Sequence, residues 1–245
     1  MRADRAVRAA LATTWLALAP LPAFAADATV AAPAPAKPAA PQPAEPAFPD
    51  LTSHFIETSQ LHGVHQIFNG ALKRHGRLIY LEEESTSSGP VGYNEYQLYD
   101  FNKNILYRIL RDEQIYFETP LTLQQRVDAI RKGWLPAAGV ITVNKINITL
   151  SSRDIPLRPD TIDNRPVELA LREITAEIPA VGKEPATTRR DYALVWRDPA
   201  YALPVKIAYS TIQNISVVEY RMITLETLKD DLFEVPAGFA DLTPY

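Results

Sequence analysis

The stretch that decides the fold is DYALVWRDPAYALPVKIAYS, residues 191–210. Large apolar side chains alternate with other residues on both sides of a turn cluster, Arg197–Ala200. Period-two alternation on either side of a proline-containing turn predicts a β-hairpin. The alternating residues are Tyr192, Leu194 and Trp196 before the turn, and Leu203, Val205 and Ile207 after it.

The expected register of this hairpin brings the two apolar sets onto one face of one sheet, as cross-strand packing requires. Such an apolar face is expected to be covered by another element of the protein, or to cover a partner whose nature the pattern does not specify. The expected pairs are Trp196 with Leu203, Leu194 with Val205, and Tyr192 with Ile207.

Upstream, residues 93–120 predict three consecutive antiparallel strands, near Glu95–Asp100, Ile105–Arg111 and Gln114–Glu118. Both faces of this unit are apolar, so the sheet is covered on both sides, or covered on one side and lining a cavity on the other. One face carries Tyr96, Leu98, Tyr107, Ile109 and Tyr116; the other carries Tyr99, Leu106, Leu110, Ile115 and Phe117.

One helix is expected from Leu121 to Gly133. Its apolar residues, which continue to Trp134, recur at helical spacing. Thr122 and Gln125 form a capping box, and Gly133 is a typical C-terminal stop signal of a helix. The apolar stripe must lie on a sheet.

The remaining patterns are mostly strands. Val64–Phe68 and Arg77–Leu81 are separated by turn signals at residues 69–70 and 75–76. Leu51–Gln60 could be a short helix or the lead-in to a strand. Val140–Ser151 predicts a long strand with a bulge or a break near residues 144–145, and Ile215–Leu225 predicts the final strand. About nine strands and one helix indicate a mainly β (α+β) protein with a single antiparallel sheet, strongly twisted and curled toward a barrel.

The N-terminal region has the composition of an export signal followed by a spacer. Met1–Ala25 combines early arginines, an apolar run and an A-x-A cleavage site, so we expect cleavage near Ala25 and a periplasmic location. Ala26–Pro49 is almost entirely Ala and Pro and is expected to be a disordered linker. The folded domain is expected at Asp50–Tyr245.

Charge and cysteine content exclude some classes of function. The chain of 245 residues carries a formal charge of −4, and removal of the signal, which carries +2, leaves −6. This acidic balance argues against a nucleic-acid partner, which would need clustered Lys and Arg. There is no cysteine, so no disulfide can form. We expect a monomer without a cofactor.

No pattern predicts catalysis or metal binding. His62 and His65 lie in what is expected to be extended backbone, where residues three apart point to opposite faces, and no further ligand completes a metal set. Glu82–Glu84 is expected to be a solvated charged run rather than a glycosidase pair. No G-x-S-x-G nucleophile elbow is present. We therefore name no catalytic and no metal residues.

The aromatic and aliphatic strand residues are the remaining signal. They could form a sheet core, which is their usual role. They could also line a cavity for a hydrophobic ligand. The candidates for that cavity are Tyr96, Leu98, Tyr107, Ile109, Tyr116, Trp134, Tyr192, Leu194, Trp196, Val205 and Ile207.

A series of motifs follows one another along the chain. They are YDFNKNILYRILRDEQIYFETPL, then Trp196, Asp198-Pro199, the stretch 203–206 (LPVK) and the stretch 233–239 (FEVPAGF). Their order resembles that of LolA-like periplasmic lipoprotein carriers and related exported lipid-binding domains. The resemblance runs from about Gly63 to Phe239, with Phe239 standing where the family usually has Tyr. It implies an unclosed β-barrel whose concave side is covered by a few helices, with a lipid-lined cavity between.

These observations predict a periplasmic, non-catalytic binding or carrier protein for a lipid or other hydrophobic ligand. The alternative is a structural or interaction protein of the envelope with a solid β core and no ligand. A membrane or envelope protein is a further partner compatible with either function.

Overall fold

The computed structural model describes residues 49–61, 64–85, 95–135, 138–143, 145–201, 203–211 and 214–244. All of them belong to one unit, Ala44–Tyr245. The predicted signal Met1–Ala25, the linker up to residue 48 and His62 lie outside the described residues, so those assignments stay predictions.

Strands make up most of the described chain. In the N-terminal half they are β1 (Leu51–Leu61), β2 (Val64–His75), β3 (Leu78–Ser85), β4 (Glu95–Asp100), β5 (Ile105–Leu110) and β6 (Ile115–Pro120). After helix α1 (Leu123–Arg131) come β7 (Ala138–Val143), β8 (Ile146–Pro156), β9 (Asp160–Ile162), β10 (Arg165–Ile178), β11 (Thr187–Arg197), β12 (Lys206–Ser210) and β13 (Asn214–Leu225). A 3-10 turn (Asp230–Phe233) and the short β14 (Ala240–Asp241) end the fold.

The strands form one sheet in the order β14-β6-β5-β4-β3-β2-β1-β13-β12-β11-β10-β8-β7, with β9 attached to β10. All neighbours are antiparallel except β14 and β6. Among the described residues, the end strands β14 and β7 do not pair with each other, so the sheet does not close. This confirms the expected mainly β fold with one large unclosed sheet, although the described residues contain a single α-helix rather than the few that the resemblance implied.

One expected turn is wrong: β2 runs straight through Asn69-Gly70. Of the bulge and the break expected near residues 144–145, the break is found. β7 and β8 pair with each other, and Lys145, with a φ of 66°, lies in the turn between them. The ambiguous segment Leu51–Gln60 is strand β1.

Helix α1 follows its sequence signals closely. The Thr122 hydroxyl accepts a hydrogen bond from the Gln125 backbone, and the Gln125 side chain accepts one from the Thr122 backbone. Gly133, with a φ of 76°, turns the chain after the last helical residues. None of the helices in the described part of the chain has the length and apolar character needed to cross a membrane.

The sheet curls around the C-terminal end of α1. Trp134 packs its ring 5.8 Å from that of Tyr99 on β4 and donates its indole N–H to the Tyr220 hydroxyl on β13, at 2.8 Å. β4 and β13 are four strands apart, about 19 Å in a flat sheet. Since one side chain reaches both, the sheet must be strongly curved. We call the face toward α1 the helix-side face and the opposite face the outer face.

Buried arginines fasten the end of α1 to the helix-side face. The Arg172 guanidinium of β10 donates to the Ile130 carbonyl at 2.9 Å, and the Arg74 guanidinium of β2 donates to the Gly133 carbonyl at 3.2 Å. Asp154 holds Arg172 in place through a contact of 2.9 Å. These cations satisfy carbonyl groups that a helix C-terminus leaves without partners, and they complement its negative dipole end.

A buried ion pair adds to this anchorage. Lys132, just after α1, contacts the Glu57 carboxylate of β1 at 2.8 Å, and the Tyr209 hydroxyl donates to the same carboxylate at 3.0 Å. Burial alone would lower the pKa of Lys132, but the charge of Glu57 outweighs it, so the pKa is raised. Lys132 therefore stays protonated at neutral pH.

The register predicted for the hairpin of residues 191–210 is wrong. Trp196 pairs with Lys206, Leu194 with Ala208, and Val195 with Ile207. The small residue Ala193 and Val195 point into the core, and Tyr192 and Leu194 point outward. The connection between β11 and β12 extends to Val205, because Pro204 has no N–H to donate to a neighbouring strand. Leu203, which belongs to this connection, is buried in the core.

The predicted faces of the β4–β6 unit are confirmed. Tyr96 pairs with Ile109, Leu98 with Tyr107, and Ile109 with Tyr116, so these five residues share a face. It is the outer face. Residues that follow β13 cover it, with Phe233 buried among Tyr80, Tyr96, Leu98 and Ile109.

Gly70 is the first position at which we predict an effect on stability. A Cβ atom there would collide with the backbone oxygen of Glu82 and with the Phe55 ring. Backbone cannot move aside as a flexible side chain can, so Gly70→Ala should lower the free energy of unfolding by about 1–3 kcal/mol. Urea denaturation measures the effect. The exposed Thr58→Ala change on the neighbouring strand is the control and should stay within about 0.5 kcal/mol.

The Glu57–Lys132 pair supports a double-mutant cycle. Glu57→Leu or Lys132→Met alone leaves the other charge without a partner in a largely buried site. Each should lower the free energy of unfolding by about 3–5 kcal/mol. The double variant removes both charges and should recover much of that loss. If the two single losses simply add in urea denaturation, the buried ion pair is not an energetic unit.

Candidate ligand-binding site

A groove of about 730 Å³ lies at the ends of several neighbouring strands. It lies between the β9–β10 hairpin, the connection from β11 to β12, and strands β12 and β13. Apolar and polar side chains line it in nearly equal number. They are Thr161, Ile162, Asp163, Arg165, Val167, Asp198, Tyr201, Val205, Lys206, Glu219, Tyr220, Arg221, Met222, Ile223 and Thr224.

Backbone pairing fixes the apolar floor of the groove. The Val205 N–H donates to the Trp196 carbonyl, and the Tyr220 N–H donates to the Val205 carbonyl, both at 2.9 Å. These bonds hold Val205 between β11 and β13. Val167 and Tyr220 are buried beneath the groove. The floor is therefore set by the sheet itself and does not depend on a loop.

The β9–β10 hairpin forms one wall. Asp163 and Asn164 both have positive φ, 48° and 62°, as the two central residues of a type I′ turn require. This tight turn places Ile162 and Arg165 on the same side of the groove. β9 is not among the strands that the sequence predicts, so the sequence interpretation missed this wall. The Asp-Asn pair was the signal that could have indicated it.

Charged residues form the rim. Glu219 accepts from Lys206 at 3.0 Å and contacts Arg221 at 3.2 Å. The hydrogen bond from Lys206 is the main reason that the pKa of Glu219 is lowered. Asp163 and Arg165 complete the rim across the groove. The site therefore combines an apolar floor with charges of both signs at its mouth.

Trp196 lies beside the groove rather than in its lining. Its indole N–H donates to the Asp160 carboxylate at 2.8 Å, and Lys206 Nζ lies 5.7 Å from its ring centroid. This hydrogen bond is the main reason that the pKa of Asp160 is lowered. Trp196 therefore ties β9, and with it the hairpin wall, to the outer face of the sheet.

A second, smaller cleft of about 280 Å³ adjoins α1. It opens between the β4–β5 turn and the β7–β8 edge, where the Asn104 side chain donates to the Thr142 carbonyl at 3.4 Å. Its apolar lining includes Phe101, Ile130 and Leu135. Under α1 itself the helix-side face is filled by packed side chains, among them Val127 and Ala129.

The eleven candidate residues do not share one surface. Val205 alone lines the groove. Trp134 and Ile207 belong to the helix-side core, whereas Tyr192, Leu194 and Trp196 lie on the outer face. The remaining five lie on the outer face of the N-terminal half, under the C-terminal residues: Tyr96, Leu98, Tyr107, Ile109 and Tyr116.

The residues that the sequence interpretation did not single out include Ile162, Tyr201, Tyr220 and Ile223 in the groove. They come from three separate segments, β9, the β11–β12 connection and β13, which only the sheet order brings together. Within the described residues, no cluster of three His, Asp or Glu side chains has the geometry of a metal site.

Three solved structures can be compared with this fold. A LolA superfamily protein from Nitrosomonas europaea is 10% identical, with a TM-score of 0.37 over 76% of this chain and 90% of that chain. A DUF1329 family protein from Desulfovibrio piger is 10% identical, with a TM-score of 0.33 over 78% and 91%. An outer membrane lipoprotein-sorting protein domain from Vibrio parahaemolyticus is 9% identical, with a TM-score of 0.32 over 76% and 89%.

These structures agree with the expected likeness to LolA-like proteins. At such identities and TM-scores they carry no argument about what this chain binds. No protein-family model matches the chain, and no curated protein sequence matches it.

The Trp196–Asp160 contact gives a titration prediction. Trp196→Phe keeps an aromatic ring but removes the N–H donor, so the pKa of Asp160 should rise toward its ordinary value. Carboxyl carbon NMR titration measures the shift. Trp134→Phe, which removes an indole donor on the other face of the sheet, should leave the pKa of Asp160 unchanged.

Proposed function

We propose that this protein is a periplasmic, non-catalytic binding or carrier protein whose groove holds an amphipathic, lipid-like ligand. The observation that carries the proposal is the groove of about 730 Å³ with an apolar floor and a charged rim. Ligand sites in proteins typically span about 300–1,000 Å³ and combine apolar walls with a few polar groups. The cleft beside α1, at about 280 Å³, falls just below that range.

The floor and the rim would contribute in different ways. Each methylene removed from water contributes about 0.8 kcal/mol, so eight buried methylenes would contribute about 6 kcal/mol before binding costs. Val167, Val205 and Tyr220 offer the apolar contacts. Three cations at the mouth would pair with a negatively charged head group, which would stay in contact with water there. They are Lys206, Arg165 and Arg221.

The periplasmic location rests on the pattern of Met1–Ala25, and the carrier role on the LolA-like motifs of the sequence. The Ala/Pro-rich stretch that precedes β1 would act as an extended spacer between the cleavage site and the domain. Binding without catalysis is proposed because the described residues that line the groove include no serine, cysteine or histidine.

A second candidate function is that of an envelope structural or interaction protein without a ligand. Two observations favour it. The space between α1 and the sheet is filled by a packed core. In addition, an apolar row crosses the outer face of five neighbouring strands. Its members are Ile155, Leu171, Leu194, Ala208 and Val217.

A groove-filling variant tests the first candidate. Ile162→Trp places a large ring inside the groove, so it should weaken binding of a fluorescent fatty-acid probe by about ten-fold or more. The matched control is Ile215→Trp, since Ile215 is an exposed isoleucine outside the groove lining. The control should bind the probe as the unmodified protein does.

Native mass spectrometry of gently purified protein supplies the second measurement. Co-purified lipid that is lost in Ile162→Trp and kept in Ile215→Trp would support the carrier function. Equal probe binding by both variants would show that the groove is not the site. Absence of both lipid and probe binding in the unmodified protein would favour the interaction protein.

A further inference from the structure

The C-terminal residues form a strap, which we define as residues 226–243. It leaves β13, crosses the outer face of β3–β6 and ends by pairing with the edge of β6. Backbone bonds of 2.9 Å from Ala240 to Gln114 and of 3.0 Å from Leu242 to Tyr116 secure that end. The strap therefore covers a sheet face and a sheet edge at once.

The face beneath the strap is aromatic and apolar. Tyr80, Tyr96, Leu98 and Ile109 are buried there, and Phe233 of the strap is buried with them. Leu228, Val235 and Phe239 pack against the same cluster. If the strap were lifted, the tyrosine-rich face identified from the sequence would be open to a ligand or partner.

One histidine joins the strap to the sheet. Nδ1 of His75, at the end of β2, lies 2.7 Å from the Asp50 carboxylate, and Nε2 lies 3.1 Å from the Asp230 carboxylate of the strap. The His75 ring also packs 5.7 Å from that of Phe233. Only the imidazolium has a donor on both nitrogens, so only the protonated form can bond both carboxylates.

Asp50 is a second joint between the strap and the start of β1. Its carboxylate accepts the Leu228 N–H at 3.0 Å. Burial alone would raise the pKa of Asp50, but hydrogen bonds from Leu228 and His75 outweigh burial and lower it. This carboxylate therefore contributes stability above its ordinary pKa and loses it only in strong acid, through the lowered pKa.

The other charges around His75 do not replace its role. On β2, Arg74 donates to the Pro49 carbonyl, and Lys73 lies 5.0 Å from the Tyr80 ring centroid. On the strap, Glu226, Lys229 and Asp231 are close in sequence to the Asp230 contact. A neutral His75 would turn a lone pair toward either Asp50 or Asp230.

We propose that the strap is a releasable cover and that His75 is its pH-sensitive clasp. Protonated His75 holds Asp50 and Asp230 together and keeps the strap closed. When His75 loses its proton at higher pH, it can no longer donate to both carboxylates, and the contact with Asp230 is lost. The strap then loosens at its 3-10 turn and exposes the aromatic face of β3–β6.

Hydrogen exchange of the full chain between pH 5.5 and 8.5 tests this, with rates corrected for intrinsic pH dependence. Strap amides should lose protection by roughly three-fold relative to β11 amides as the pH rises. Asp230→Asn removes the carboxylate at an exposed position, so folding should be preserved and most of the pH dependence lost. His75→Gln should abolish it.

Limited trypsin digestion gives an independent measure. Cleavage after Lys229, at the start of the 3-10 turn, should increase with pH relative to cleavage after Lys183, which lies in an exposed turn and serves as the internal reference. A constant ratio in the unmodified protein would overturn the proposal. So would an equal pH dependence in His75→Gln.

Discussion

The fold depends on how the C-terminal end of one short helix is satisfied inside a curved sheet. Carbonyl groups at that end would be costly if they were buried without donors. Arg172 and Arg74 reach them from strands on different parts of the sheet. Each guanidinium is itself buried, so it needs the carbonyl groups as acceptors just as they need it as a donor. This mutual dependence holds strands that are distant in sheet order around α1.

The same anchorage decides where space remains for a ligand. Because Trp134 and its neighbours fill the helix-side face, the interior is a packed core. The groove lies instead at the ends of neighbouring strands, where the β9–β10 hairpin stands beside β12 and β13. One residue of its floor, Tyr220, also accepts the Trp134 indole N–H and donates to the Lys132 carbonyl. A ligand in the groove would therefore lie next to the residues that anchor the end of α1.

The sequence predicts features that local chemistry determines and misses those that sheet order determines. The capping box of α1 and the pairing of Tyr96 with Ile109 follow from spacing alone, and both are found. The predicted hairpin register is wrong because it was based on the large apolar side chains, which placed Trp196 on the core face. In the structure the core face of this strand carries the smaller side chains of Ala193 and Val195. The groove draws residues from separate segments, so no local pattern could assemble it.

The pairing of β14 with β6 has a consequence for solubility. An open sheet has two edges, and an unpaired edge is a template on which other chains can add strands. Here the last residues of the domain occupy the β6 edge with a short parallel strand. β14 thus occupies part of an edge to which another chain could otherwise add a strand. A protein shortened at this end would present a bare β6 edge next to an aromatic surface, a combination suited to fibre growth.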